Sequence, residues 1–285
     1  MNRKTSDMKS FWQHLDGIAV VNLDDRPDRW EKVCADAALH LHDAPALTRI
    51  SAVYGARLPG FGSRPWFRGK SSDKRWAARA GCTQSHRKVM DYANSKGWQT
   101  FLVLEDDADF TPLAAADLGA LEQALFADHA DWDFCYLGFS KAVGTSFALA
   151  SFGNHVCAEI SGCYTTHAYI VRTRARDWIL GQLADDNRVW SWLAKNRIID
   201  RWYIRHLSRA LTVYAISPSI ISQAVGFSDI VGGEVNYKDQ FPEAITSYAK
   251  NRYEFWIRQK ICHASFIMGN FYDTFRGLLK RLKGF

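Results

Sequence analysis

QTFLVLEDDADF, residues 99–110, runs from an apolar segment straight into three consecutive carboxylates, Glu105, Asp106 and Asp107. A short unbroken apolar run such as residues 101–104 is the signature of a strand covered on both faces. Where such a strand leaves the core it reaches the carboxyl edge of its sheet, the edge at which open α/β sheets hold ligands. Residues 76–93, just before it, carry a helical pattern that stops at Ser95, Lys96 and Gly97, so a helix feeds the strand.

The same alternation extends in both directions. GIAVVNL (17–23) is another apolar run, closed by the polar turn DDRPD and entering a helix that Asp28 is placed to cap. RISAVY (49–54) predicts a strand, and the Gly-, Pro-, Arg- and Lys-rich residues 55–75 predict a loop. Downstream, a helix runs from Pro112 towards Phe126. DFCYLGF (133–139) and CYTTHAYIVRT (163–173) read as strands, ARDWILGQL (175–183) as a helix, and RALTVYAISPSI (209–220) as a strand stopped at Pro218. Strands alternating with helices predict an α/β sandwich around a mixed, mostly parallel sheet. The expected division is residues 1–235 for this domain and residues 236–285 for a basic, amphipathic helical C-terminal extension.

Composition narrows the classes. A chain of 285 residues that is 47% hydrophobic and 23% charged can bury a core without staples. The six cysteines include no Cys-x-x-Cys pair, which argues against zinc ribbons and dithiol redox sites. The first residues lack the apolar run of a signal peptide, and no stretch reaches the ~18 apolar residues of a spanning helix, so the expected location is cytoplasmic or peripheral at the inner face of a membrane. The net charge is +6, and residues 250–285 hold all of it, with eight Lys and Arg against Glu254 and Asp273. A nucleic-acid binder spreads positive charge over its working face, so nucleic acid is not an expected partner. Phe271, Phe275, Leu278 and Leu282 recur at helical spacing among Arg276, Lys280, Arg281 and Lys283, a pattern suited to an anionic membrane surface. The alternative is a stripe docked on the domain, and Gly269 and Gly277 argue against one uninterrupted helix.

In extended backbone Glu105 and Asp107 point to one face and Asp106 to the other. Two hard oxygen ligands on one face suit Mn²⁺ or Mg²⁺, and the alternative is a solvated acidic turn. AGCTQSHRKVM (80–90) puts Ser85 and His86 on a helix with Arg79, Arg87 and Lys88 nearby, and Gly81 permits a close backbone approach. Arg26 and Arg29 of NLDDRPDR (22–29) suit phosphate, or are surface residues of a helix start.

In order along residues 17–230, these motifs resemble glycosyltransferase family 25, the group of bacterial lipopolysaccharide and lipooligosaccharide sugar transferases and collagen galactosyltransferases. The carrying residues are Asn22, Leu23, Arg26 and Arg29; Gly81, Cys82, Ser85 and His86; residues 104–107; Thr166, His167, Ala168 and Tyr169; Asp200; and Pro218, Gln223, Ser228, Asp229 and Ile230. Two positions depart from the pattern: Arg79 stands where the family usually has Glu, and Val53 and Tyr54 stand where an Asp commonly ends the second strand.

The resemblance implies a GT-A-type fold and an inverting hexosyltransferase using UDP-galactose or UDP-glucose, with a saccharide or glycolipid acceptor, as in lipopolysaccharide biosynthesis. It implies Mn²⁺ (or Mg²⁺) held by Glu105 and above all Asp107. Asn22, Arg26, Arg29, Ser85, His86 and Asp106 fall to the donor, and Gln223 and Ser228 to the acceptor. Asp200 is the implied general base, with Asp229 as the alternative. The rival readings are a metal-dependent phosphodiesterase or nucleotidyltransferase, which releases nucleoside monophosphate, and a non-catalytic membrane or nucleic-acid-binding module, which has no metal-dependent affinity for UDP.

Overall fold

The structure, a computed structural model, describes residues 10–70, 72–228, 233–235 and 243–282. In chain order its first half holds β1 (Gly17–Asn22), α1 (Pro27–His40), β2 (Leu47–Ser51), α2 (Ser72–Ser95), β3 (Thr100–Glu105), β4 (Ala108–Phe110), α3 (Ala115–Glu122) and β5 (Phe134–Gly138). The long strands β6 (Lys141–Phe152) and β7 (His155–Tyr164) follow, then β8 (Ala168–Arg172), α4 (Thr173–Gln182), α5 (Val189–Asn196) and α6 (Ile199–Ala210). The chain continues through β9 (Val213–Ser217), β10 (Ile221–Gln223), β11 (Gly226–Ser228) and β12 (Gly233–Val235) to α7 (Arg252–Leu282).

Eight strands form one sheet in the order β2-β1-β3-β8-β5-β9-β7-β6. The trio β2, β1 and β3 is parallel, as are β5 and β9; β8 and β7 run against their neighbours. Six of the eight strands therefore point the same way, which is the mixed, mostly parallel sheet expected. The period of two assigns each side chain to a face. Ile18, Val20, Leu102 and Leu104 pack with Val33 and Ala37 of α1 and Leu121 of α3 on one face. Ala19, Phe101 and Val103 pack with Val89 and Met90 of α2, Ile179 of α4 and Tyr203 of α6 on the other. Each Val, Leu, Ile, Phe or Met among them contributes about 1.5–3 kcal/mol by leaving water, so the two faces together hold the strand ends in place.

Local expectations differ from the structure in instructive ways. The N-cap of α1 is Arg26, with Pro27 opening the helix; Asp28 lies in the first turn and pairs with the Arg26 guanidinium at 2.7 Å rather than capping. Helix α2 begins at Ser72, and the preceding loop packs its own cluster: Phe67 meets Trp190 edge-on at 4.6 Å, and Trp190 Nε1 donates to the Pro59 carbonyl at 2.6 Å. Residues 163–173 hold two strands, parted at Thr165, whose φ is +70°. The β6–β7 hairpin has no counterpart in the sequence reading. Its pairing shifts register twice, next to Gly144 and at Ala148, and those shifts break the alternation that would have announced it.

Helix α7 is continuous through both glycines. A Cβ on Gly277 would sit 2.8 Å from the Ala194 carbonyl oxygen, so this glycine lets α7 lie against α5 rather than breaking it. Phe255 and Asp273 are buried on the docked side, while Phe271, Phe275, Leu278 and Leu282 are exposed. Among the described residues no helix is long and apolar enough to cross a membrane.

Candidate active site

Register brings the ends of the first three strands level: Asn22 pairs with Ser51, and Val21 with Glu105. Helix α2 crosses these ends closely. A Cβ on Gly81 would collide with the Val53 carbonyl oxygen, and one on Gly55 with that of Ala77, so both positions need glycine. Ser85 secures the crossing, its hydroxyl accepting from Val53 N–H at 2.8 Å and donating to Gly81 O at 2.7 Å. Its hydroxyl thus serves the backbone at the wall of the site.

Above this edge lies a cleft of about 510 Å³. Arg26, Arg29, Tyr54, Ser85, His86, Glu105, Asp106, Asp107, Asp200 and Gln223 all line it, although they come from widely separated parts of the chain. Strand β3 ends at Glu105, and Asp106 and Asp107 form a turn. The extended backbone expected through Asp107 therefore stops two residues short of it, so Glu105 and Asp107 do not share a face by strand alternation, and the three carboxylates acquire three different environments.

Glu105 faces the helix. Thr166 Oγ1 donates to it at 2.9 Å, His86 Nε2 lies 3.4 Å away, and the other ring nitrogen of the fully buried His86 contacts the Tyr169 hydroxyl at 2.7 Å. Burial raises the pKa of Glu105, but the hydrogen bond and charge of His86 outweigh it and hold the group below the ordinary carboxylate value. Asp106 is turned to the other wall, accepting from Asn22 Nδ2 at 2.7 Å and Arg29 Nη1 at 3.0 Å. Asn22 is itself fixed by Arg49, whose Nε donates to its Oδ1 at 2.7 Å. Asn22 is buried beneath the cleft and supports two residues that line it, Asp106 and, by donating to its carbonyl at 3.0 Å, Arg26.

Among the described residues, Asp107 receives one side-chain hydrogen bond, from Gln223 Nε2 at 2.8 Å, and its buried Oδ1 has no partner. Burial, then the charge of Glu105, pushes its pKa up to about 7. A carboxylate that binds a proton so tightly, with an oxygen free and two acids beside it, is short of positive charge. An oxygen-seeking divalent cation fits that deficit. Cys82, His86 and Glu105 also place ligand atoms within 4.8 Å of one another. Burial raises the Cys82 thiol well above its usual value, so it stays protonated and suits a hard cation poorly.

Asp200 opens α6, with Arg201 N–H donating to its Oδ1 at 2.6 Å. Arg197, three residues before Asp200, turns away from it to pair with Asp273 at 2.8 Å. Burial raises the pKa of Asp200. Gln223, assigned to the acceptor by resemblance, spends its amide on Asp107. Asp229 and the side chain of Ser228 lie outside the described residues. The sequence names Thr166 only as part of a motif and Tyr54 only as a departure from the family pattern, and it does not mark Arg49.

No family model matches the chain. It is 26% identical over 187 residues to procollagen galactosyltransferase 1 of Danio rerio, an overlap of 62% of this chain and 30% of that protein, so it spans less than a third of that relative's length. Among solved structures it is similar to a glycosyltransferase involved in the glycosylation of the major capsid of PBCV-1, with a TM-score of 0.39 and 11% identity over 75% of this chain and 94% of the other. It is also similar to mannose-1-phosphate geranyltransferase from Thermus thermophilus, with a TM-score of 0.33 and 14% identity over 75% of each chain. The chain is therefore glycosyltransferase-like in sequence.

Proposed function

We propose that the chain is an inverting, divalent-cation-dependent glycosyltransferase of the family 25 type, moving galactose or glucose from a UDP-sugar to a saccharide or glycolipid acceptor. The observation that carries this reading is Asp107, whose carboxylate lines the cleft with one buried oxygen unpartnered beside Glu105 and Asp106. The 26% identity to a procollagen galactosyltransferase over 187 residues supports it.

In this reading Asp107 and Glu105 hold Mn²⁺ or Mg²⁺, and His86 and Thr166 keep Glu105 ionised and oriented. When bound, the ion supplies positive charge against the departing diphosphate. Arg26 and Arg29 line the same wall and meet the phosphates, while Val21, Leu23 and Ala52 offer an apolar surface to the base. Asp106, locked by Asn22 and Arg29, accepts from donor hydroxyls. Asp200 takes the acceptor hydroxyl proton as the new oxygen–carbon bond forms at the anomeric carbon and the bond to UDP breaks, a single displacement that inverts that carbon. Gln223 positions Asp107 rather than the acceptor.

Residues 1–235 form the catalytic part in this proposal, and the exposed apolar face of α7 brings it to a membrane carrying a lipid-linked acceptor. Incubation with Mn²⁺ and each UDP-hexose tests the chemistry: slow UDP release, abolished by EDTA, is expected. Release of UMP instead would identify the phosphodiesterase chemistry, and full activity in EDTA would overturn the metal assignment.

A further inference from the structure

The chemistry above gives the Cys82 thiol in the cleft wall no role. Cys82 sits on α2 one turn before His86, and an i, i+4 pair on a helix shares a face. Both line the cleft, as does Glu105 at the end of β3, and the ligand atoms of the three lie within 4.8 Å of one another. His86 Nε2 and Glu105 Oε1 are 3.4 Å apart. Two such atoms on one tetrahedral Zn²⁺ stand about 3.3 Å apart, so this edge of a coordination shell is already close to its working length. Cys82 Sγ completes the third corner by closing at most about 1.2 Å on the other two.

The imidazole and the carboxylate are both held from behind. The Tyr169 hydroxyl contacts the far ring nitrogen of His86 at 2.7 Å and leaves Nε2 on the Glu105 side, and Thr166 Oγ1 orients Glu105 at 2.9 Å. Outer contacts of this kind aim metal-bound side chains. One thiolate, one imidazole and one carboxylate make a donor set that favours Zn²⁺ over Mn²⁺. Three protein ligands with a fourth corner open to the cleft make an exchangeable site rather than a closed structural one.

We propose that Cys82, His86 and Glu105 form a second cation site, for a thiophilic divalent ion such as Zn²⁺, and that its occupation switches the enzyme off by withdrawing Glu105 from the catalytic ion. The site stands on this geometry, while the inhibition rests on the glycosyltransferase reading. Binding releases the Cys82 thiol proton, and any proton on His86 Nε2, to solvent, and nothing is oxidised or reduced.

Titration of the whole chain with Co²⁺, a coloured stand-in for Zn²⁺, reads the site without turnover. One equivalent gives a thiolate-to-cobalt charge-transfer band with tetrahedral d–d absorption, and Zn²⁺ displaces both. Cys82→Ser loses the band and binds Zn²⁺ at least tenfold more weakly, the least that even an outer-contact change costs such sites. Its melting temperature and Mn²⁺-dependent UDP release stay at wild-type values, and Cys82→Ala repeats the test if serine lowers the melting temperature. Asp107→Asn, which lacks the firmest ligand of the catalytic ion, keeps the cobalt spectrum. Zn²⁺ inhibits UDP release by the wild-type protein at a concentration at least tenfold lower than for Cys82→Ser, and chelation followed by Mn²⁺ restores it. Co²⁺ bound without a charge-transfer band, a band that survives loss of Cys82, or equal zinc inhibition of the two proteins overturns the proposal. A Cys82-dependent band in a protein that releases no UDP under any condition would instead overturn the glycosyltransferase reading and leave the metal site standing.

Discussion

Asp273 on α7 sits among Arg197, Arg205 and Arg276, with ion pairs of 2.8, 2.6 and 3.4 Å, whereas Asp107 in the cleft sits beside Glu105 and Asp106 with one amide donor. Burial raises the pKa of both. For Asp273 the hydrogen bonds of Arg205 and Arg197 outweigh burial and hold the pKa below the ordinary value, while for Asp107 neighbouring negative charge adds to burial and drives it to about 7. A carboxylate surrounded by cations of its own protein fastens one element to another. One left in deficit is set up for a partner the chain does not contain.

The largest expected effect follows from that deficit. Asp107→Asn should cut Mn²⁺-dependent UDP release by about three orders of magnitude, the scale of removing a preorganised electrostatic contact. The melting temperature should be unchanged or higher, because a repelling charge has gone. Parallel loss of activity and stability would mean that Asp107, like Asp273, is structural.

The mirror substitution, Asp273→Asn, should leave turnover per folded molecule within about twofold, since distant sites act independently. It should lower stability by about 3 kcal/mol, the lower end for breaking a buried pair, as the arginines keep some access to water. Denaturant unfolding measures this directly, and a loss below about 0.5 kcal/mol, the range of ordinary surface changes, would deny the ion pairs their fastening role.

Asp200 lies between the two extremes, raised by burial but neighboured by Arg201. A general base works only when deprotonated, so a raised pKa moves the loss of activity on acidification to higher pH. The acid limb of kcat/KM should therefore fall above the ordinary Asp value of 3.8, and Asp200→Asn should remove the limb together with most of kcat. A limb that persists in that variant transfers the role to another group.

The fold was legible where one physical signal dominated. Residues 101–104 and 17–23 are apolar because both their faces are covered, and each became a strand within a residue or two of its expected bounds. The hairpin of β6 and β7 escaped because its small residues and register shifts carry no period. In the cleft, the residue types that bear the chemistry stood out, but the division of work among them did not. Asn22, Ser85 and Gln223 turned out to hold backbone or other side chains, and their partners, Asp106, Val53 and Asp107, lie far away in sequence. Arg49 had no local signature because its part, holding Asn22, is defined only by the register of β1 against β2.

The smallest effect on the isolated protein, and the sharpest test of the α7 side, concerns the exposed stripe. Phe271 and Phe275 are 68% and 61% exposed, so they are not what docks the helix; Asp273 between them is fully buried and does that. Stopping the chain before α7 would remove the docked face as well as the stripe and confuse the two. Phe271→Ser with Phe275→Ser removes the aromatic half of the stripe and none of the docked face, and should change stability by no more than about 0.5 kcal/mol and leave UDP release unaltered. Sedimentation with vesicles should nevertheless change: the wild-type chain should bind phosphatidylglycerol vesicles and neither phosphatidylcholine vesicles nor high-salt samples, because each basic residue near an anionic surface adds about 1 kcal/mol that salt screens. The double variant should lose this binding. Binding that is indifferent to lipid charge or to the two phenylalanines would remove the membrane assignment, and a stripe that instead drives concentration-dependent dimerisation would assign the face to a second copy of the chain.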